Sequence, residues 1–89
     1  MNYKITYPTP LSEIDIENDN IDVCVSTNKG KEFLFVVATI KNVEKLLENG
    51  VLNPNTKLLI VDALTQYKIE NIIDMVMQDE KICYFYGKD

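Results

Sequence analysis

One stretch near the middle of the sequence constrains the fold most, because it combines strict alternation, a turn and a long apolar run. Residues 21–26 (IDVCVS) place apolar side chains at every second position, which is typical of a half-buried strand. Residues 28–30 (NKG) supply turn chemistry, and residues 32–39 (EFLFVVAT) are almost continuously apolar. A strand that is apolar on both faces must be covered on each side or lie centrally in a sheet. The stretch therefore predicts a β-hairpin whose second strand is buried.

Two later segments carry helical spacing instead. Thr39 can cap a helix whose apolar residues recur every three or four positions as far as Asn49-Gly50, a candidate left-handed C-cap. Thr65 can cap a second helix. The apolar face of that helix comprises Ile69, Ile72, Ile73 and Val76. Lys68 lies in its first turn, where a positive charge opposes the helix dipole.

The remaining apolar runs are short and strand-like. Residues 2–7 (NYKITY) end at a proline and predict an edge strand, residues 57–61 (KLLIV) a buried strand, and residues 81–86 (KICYFY) a last strand. The element order is then β-β-β-α-β-α-β. We expect an α+β fold in which a small mixed or antiparallel sheet of about five strands carries two helices, packed mainly on one face. We expect residues 1–89 to form a single domain.

The charge balance excludes several classes of partner. The chain has 14 acidic residues, nine positive charges that are all lysines, no His and a net charge of −5. A nucleic-acid footprint needs clustered basic residues, and an anionic membrane surface needs the same. The natural complement of this composition is a basic protein.

The acids are concentrated between the first and second predicted strands. No lysine occurs between Lys4 and Lys29, whereas five acids do. These acids are Glu13, Asp15, Glu17, Asp19 and Asp22. An EF-hand loop that began at Asp15 would need glycine and glutamate where Asn20 and Ser26 stand, so the calcium pattern fails. The segment is interpreted either as a solvated acidic face or as a docking surface for a basic partner.

The usual signatures of catalysis and of cofactor binding are missing. Cys24 and Cys83 have no histidine to activate them, and the sequence has neither a CxxC pair nor a phosphate-binding glycine loop. We therefore expect a protein that is not an enzyme and that has no cofactor and no metal. The two cysteines lie in apolar runs and are expected to be buried, reduced thiols. No signal peptide is visible in residues 1–10, and we expect a cytoplasmic location.

Tyrosines provide a second class of candidate contact residues. Tyr84 and Tyr86 share one face of the last predicted strand, and Tyr3 and Tyr7 share one face of the first. A rigid ring with a polar tip suits a protein interface. The alternative is that these rings close the sheet core while their hydroxyls reach solvent. We take Tyr84 and Tyr86, together with the five acids, as candidate partner-binding residues.

Two motifs carry a resemblance. Residues 39–46 (TIKNVEKL) fit T-x-x-N-[VI], and residues 59–73 (LIVDALTQYKIENII) fit [IL]-[IV]-V-x-x-L-[ST]-x-x-x-I. With the hairpin, they make residues 20–80 resemble short acidic bacterial proteins that are largely uncharacterised and that include immunity proteins. The resemblance implies a protein that neutralises a toxin by direct binding, and it implies no catalytic residue.

The leading hypothesis is therefore an immunity-like or antitoxin-like inhibitor that binds a basic toxin, for example a nuclease. Carboxylates would meet the lysines and arginines that a nuclease uses on phosphates, and tyrosines would supply apolar anchors. Two alternatives stay open. One is a self-associating structural or regulatory homodimer that uses its last strand or a sheet edge. The other is a domain that binds a small ligand or a cation.

Overall fold

The chain forms one four-stranded mixed sheet and three α-helices over residues 2–88, the part that the computed structural model describes. A short 3₁₀ helix, Leu11–Glu13, lies in the acidic segment. The strands are β1 (Tyr3–Thr6), β2 (Asn20–Thr27), β3 (Glu32–Thr39) and β4 (Leu59–Val61). The α-helices are α1 (Ile40–Leu46), α2 (Gln66–Met77) and α3 (Glu80–Tyr86). The expected α+β class is confirmed.

The strands lie in the sheet in their chain order. β1, β2 and β3 form an antiparallel meander, and β4 joins β3 in parallel after the α1 crossover. The hairpin register pairs Val23 with Phe35, and the parallel register pairs Val37 with Leu59. The predicted hairpin is confirmed, and β3 lies in the interior of the sheet between β2 and β4. β1 is an edge strand, as predicted from the prolines that follow it at positions 8 and 10.

The hydrophobic core occupies one face of this sheet. Alternate residues of β2 and β3 point to it, and α2 and α3 cover it. Its buried members include Val23, Val25, Phe35, Val37, Leu64, Ile69, Ile73 and Cys83. Each large apolar side chain that is buried contributes about 1.5–3 kcal/mol, so the helices are held mainly by this face.

The opposite face of the sheet is only partly covered. Leu34 and Val36 are half-buried there, and the side chain of Ile60 is 47% exposed. Near α1, Asn20 donates its side-chain amide to the Asn42 carbonyl at 2.7 Å, and Ala38 on the same face is fully buried. The sheet therefore has one apolar interior face and one mixed face, as is common where antiparallel strands dominate.

Both predicted N-caps are confirmed. The Thr39 hydroxyl accepts from the Asn42 amide at 3.2 Å, and the Thr65 hydroxyl accepts from the Lys68 amide at 3.3 Å. Lys68 also has a partner that the sequence interpretation lacked, because its ammonium lies 2.6 Å from an Asp62 carboxylate oxygen. This ion pair holds the pKa of Asp62 below its usual value. The charge that opposes the α2 dipole is thus compensated just before the helix begins.

The prediction of about five strands and two helices is wrong, because residues 81–86 are helical. Asp79 caps α3, since its Oδ1 accepts from the amides of Lys81 and Ile82 at 3.0 and 3.4 Å. The helix turns Cys83 into the core. Strand propensity reflects how well a side chain fits a pleated surface, and packing against the sheet outweighs it here. After α3, the backbone of Lys88 exchanges two hydrogen bonds with Leu34 of β3, at 2.7 and 2.9 Å.

The end of α1 also differs from expectation. The helix stops at Leu46, before Asn49-Gly50, and both of these residues have positive φ, at 53° and 79°. They form a tight turn in which Glu48 and Val51 exchange backbone hydrogen bonds at 2.9 and 3.0 Å. Asn and Gly are the residues that adopt this backbone conformation most readily. The dipeptide therefore makes a small hairpin and not a helix cap.

Candidate functional site

Two of the five candidate acids form the turns of the acidic segment. Asp15 Oδ1 accepts from the Glu17 amide at 3.1 Å. Asp19 Oδ2 accepts from the Asp15 amide at 3.1 Å, and its Oδ1 accepts from its neighbour Asn20 at 2.9 Å. Such bonds satisfy backbone donors that no strand or helix engages. Asp15 and Asp19 are therefore in contact, and each has a structural role in addition to its charge.

The other three acids have different surroundings. Glu17 pairs with Lys41 of α1 at 3.4 Å, and both side chains are largely exposed, so this ion pair adds little stability. Glu13 is exposed at the end of the 3₁₀ helix. Asp22 lies inside β2 opposite Val36, on the mixed face of the sheet. The structure thus joins Asp15 to Asp19 and places Asp22 apart from the loop, on a strand.

The two candidate tyrosines do not share a face. Residues two apart on a helix project about 200° apart, and Tyr84 and Tyr86 both belong to α3. Tyr84 packs edge-on against Phe33 at a centroid distance of 5.3 Å and accepts a hydrogen bond from Lys31. Tyr86 is half-buried against the core and packs edge-on against Phe85. The expectation that the two rings share one face of a strand is therefore wrong, and their role in partner binding stays a prediction.

The acidic segment is fastened to the start of α2. The Leu64 amide donates to the Ile16 carbonyl at 2.7 Å, one residue before the cap of that helix. Leu64 is fully buried, whereas the side chain of Ile16 is 49% exposed. The carboxylates of Glu13 and Glu17 consequently lie on a segment that is hydrogen-bonded to the residue before the cap of α2.

The outward side of α2 carries a feature that the sequence interpretation did not select. Tyr67 is 77% exposed and Met75 is 64% exposed, which is high for large apolar side chains. Glu70 and Asp74 follow Tyr67 by three and seven residues, so they lie on the same side of the helix. We call these four residues the acidic α2 face: Tyr67, Glu70, Asp74 and Met75. This surface could have been predicted from the sequence, because helical spacing places Tyr67, Glu70 and Asp74 on the side of α2 opposite its apolar face.

The acidic α2 face borders the edge strand β1. Tyr3 donates its hydroxyl to Asp74 Oδ1 at 2.8 Å. Burial comes first among the causes that raise the pKa of Tyr3 to about 12, followed by the bond to Asp74 and by the charges of Asp74 and Glu70. Burial and then the charge of Glu70 raise the pKa of Tyr7. Both shifts come mainly from burial, and the carboxylates of α2 add to them.

The two cysteines are free thiols on opposite faces of the sheet. Cys24 is half-buried on the mixed face, opposite Leu34, and Cys83 is buried in the core beside the Met77 sulfur at 3.7 Å. Burial, followed by the charge of Glu80, raises the pKa of the Cys83 thiol. A thiol with a raised pKa is a poor nucleophile.

Within residues 2–88, no three Cys, Asp or Glu side chains come together as a set of metal ligands. Among the same residues, no helix is both long and apolar enough to cross a membrane. Comparisons with protein families, with curated proteins and with solved structures find no match to this chain.

Proposed function

We propose that this protein is a small acidic protein-binding domain that acts as an immunity-like or antitoxin-like inhibitor of a basic toxin, such as a nuclease, in the cytoplasm. It acts by direct binding and not by catalysis. The observation that carries the proposal is the acidic α2 face, where Tyr67 is 77% exposed and Glu70 and Asp74 follow it about one and two turns along the same helix. Aromatic side chains and Met are enriched in protein interfaces, and an exposed aromatic that is rimmed by charge suits such a contact.

The charges of this surface favour a basic partner. Glu70 and Asp74 lie on α2, and Glu13 and Glu17 lie on the loop that is hydrogen-bonded to the start of that helix. Complementary charge speeds encounter and suppresses wrong partners, while the buried anchors determine how slowly the complex dissociates. Tyr67 and Met75 would be those anchors, and the carboxylates would attract the lysines and arginines of the partner's phosphate-binding surface.

The test is co-expression of the chain with a panel of basic nuclease toxin domains, followed by binding measurements with each purified toxin that it neutralises. We expect at least one toxin to lose its toxicity and to form a stoichiometric complex whose affinity falls as salt rises. Light scattering of the free chain is expected to give a monomer. A dimer would have to pair through a sheet edge, β1 or β4, because the last strand of the dimer hypothesis is a helix.

The variants locate the binding surface. The double substitution Glu70→Gln with Asp74→Asn should weaken binding at least about tenfold. Asn at position 74 keeps an oxygen that can accept from Tyr3. The matched control is Glu44→Gln with Glu48→Gln, which removes the same charge from exposed positions in and after α1 and should leave the affinity unchanged. If both double variants lost the same affinity, the binding surface would not lie on α2. If the chain neutralised no toxin of the panel, the assignment as a toxin inhibitor would be overturned.

A further inference from the structure

A cavity of about 560 Å³ opens at the hairpin end of the sheet, away from the acidic segment. The β2–β3 turn forms one wall, and the junction of α2 and α3 forms the other. Its size falls within the range of small-molecule sites, which are commonly about 300–1,000 Å³. Neither the acidic α2 face nor the proposed inhibitor function uses it.

The floor of the cavity is apolar. Phe33, Met77 and Cys83 line it, and each is at most 6% exposed. The two sulfur atoms lie 3.7 Å apart, and the ring of Tyr84 stands edge-on to Phe33. Sulfur and aromatic surfaces adapt to apolar ligands of varied shape. A hydrocarbon or aryl group that enters the cavity would meet a floor without charges.

The rim carries positive charge on a protein that is otherwise acidic. Lys29 and Lys31 line the cavity, and Glu80 is the acid among its lining residues. Lys31 donates to the Tyr84 hydroxyl and lies 5.1 Å from the centre of that ring, so its ammonium is held at the mouth. The bond to Tyr84 raises the pKa of Lys31, which is charged at neutral pH. Side-chain amides of Asn2 and Asn28 and the hydroxyl of Thr27 add hydrogen-bonding groups.

We propose that this cavity binds a small amphipathic monoanion, whose apolar body lies on Phe33, Met77 and Cys83 and whose carboxylate pairs with Lys31 and Lys29. The apolar floor selects against small hydrophilic anions, because they would leave it in contact with water. Lys29, Lys31 and Glu80 give the rim one net positive charge, which a single carboxylate neutralises. A medium-chain fatty acid or an aromatic carboxylate satisfies both conditions.

The test uses octanoate as the probe, with octanol and octylamine as matched compounds of the same chain length. Each is titrated into the full ¹⁵N-labelled chain, and amide shifts are followed by NMR. We expect octanoate to bind with a Kd on the order of 1 mM, which is ordinary for so small a ligand. The shifts should be confined to the cavity, with Phe33, Met77 and Tyr84 among the largest. Octanol should bind about tenfold more weakly, and octylamine more weakly still.

Charge-removing variants at three positions distinguish binding at a specific site from non-specific binding. Lys31→Gln and Lys29→Gln each remove one positive charge from the rim. The variant that carries both substitutions should no longer prefer octanoate over octanol. Lys45→Gln, on an exposed position at the end of α1, is the matched control and should bind octanoate as the parent does. All three positions are exposed, so the variants are expected to fold, and their parent-like amide spectra check this. The proposal is overturned if octanoate moves no cavity resonance at about ten times the expected Kd, or if the rim variants bind it as Lys45→Gln does.

Discussion

The hydroxyl of Tyr3 on β1 donates to Oδ1 of Asp74 on α2 at 2.8 Å, and this bond joins the edge strand to the helix that carries the acidic α2 face. Four residues further along, the hydroxyl of Tyr7 is buried without a hydrogen-bond partner among residues 2–88. The two tyrosines thus form a natural comparison. They lie beside the same helix, but only one of them is hydrogen-bonded to it.

Replacing each tyrosine by phenylalanine should separate these roles. Tyr3→Phe loses a bond to a carboxylate and should lower the free energy of unfolding by about 0.5–1.5 kcal/mol. Tyr7→Phe removes a hydroxyl that has no partner to lose, so we expect no loss or a small gain. Urea titrations of both variants at neutral pH measure the difference. A larger loss from Tyr7→Phe than from Tyr3→Phe would contradict the assignment of partners.

Tyr3 also predicts sensitivity to alkali. Its pKa is about 12 in the folded protein against 10.0 for an unperturbed tyrosine, so the folded state retains the phenolic proton more strongly. The resulting stability is fully present below pH 10.0 and is lost as the pH rises toward 12, where the unfolded chain ionises first. Tyr3→Phe should therefore lose less stability than the parent over this range. If the free energies of unfolding of parent and variant fell equally with pH, burial and Asp74 would not be raising the pKa of the Tyr3 hydroxyl.

The two helix caps should differ in their energetic importance. Thr39 is fully buried, and its hydroxyl accepts from the Asn42 amide and from the Asp19 amide, which ties α1 to the acidic segment. Thr65 is half-buried, and its hydroxyl accepts from Lys68. We expect Thr39→Val to cost about 2–3 kcal/mol and Thr65→Val about 1 kcal/mol. Thermal unfolding compares the variants, and equal costs would show that the bond to Asp19 adds nothing.

These caps illustrate what was predictable from local sequence. A threonine before an apolar stripe is a signal within one helical turn, and both Thr39 and Thr65 act as predicted. Residues 81–86 have the composition of a strand, and their helix depends on Asp79 and on packing against Phe33, which is about fifty residues away. No local pattern contains that contact.

The candidate site was predictable to a similar extent. The acidic segment was evident from its composition, but the hydrogen bonds by which Asp15 and Asp19 form its turns depend on the path of the backbone. The acidic α2 face follows from helical spacing once α2 is known. The high exposure of Tyr67 depends on how the preceding loop and the sheet pack, which no single segment specifies.

Close packing after α3 makes a glycine necessary at position 87. A β-carbon there would lie 2.8 Å from the Cys83 carbonyl oxygen, 3.0 Å from the ring of Phe33 and 3.2 Å from that of Phe35. Gly87→Ala should therefore cost about 1–3 kcal/mol through steric overlap, because its own φ of −83° suits any residue. Gly50→Ala is the comparison: nothing lies near its β-carbon, and its positive φ alone should cost about 1 kcal/mol. Chemical denaturation measures both, and a fully stable Gly87→Ala would show that α3 shifts freely.

The thiols should react at very different rates. Cys24 is half-buried on the mixed face of the sheet, whereas Cys83 is 4% exposed in the core and its pKa is raised by burial and by Glu80. The thiolate is the reactive species, so alkylation by iodoacetamide near pH 8 should modify Cys24 faster than Cys83, which is 4% exposed at the floor of the cavity. Mass spectrometry of Cys24→Ser and Cys83→Ser gives the two rates separately, and in denaturant the two rates should converge. If Cys83 reacted as fast as Cys24 in the folded protein, its burial at the floor of the cavity and its raised pKa would not protect the thiol.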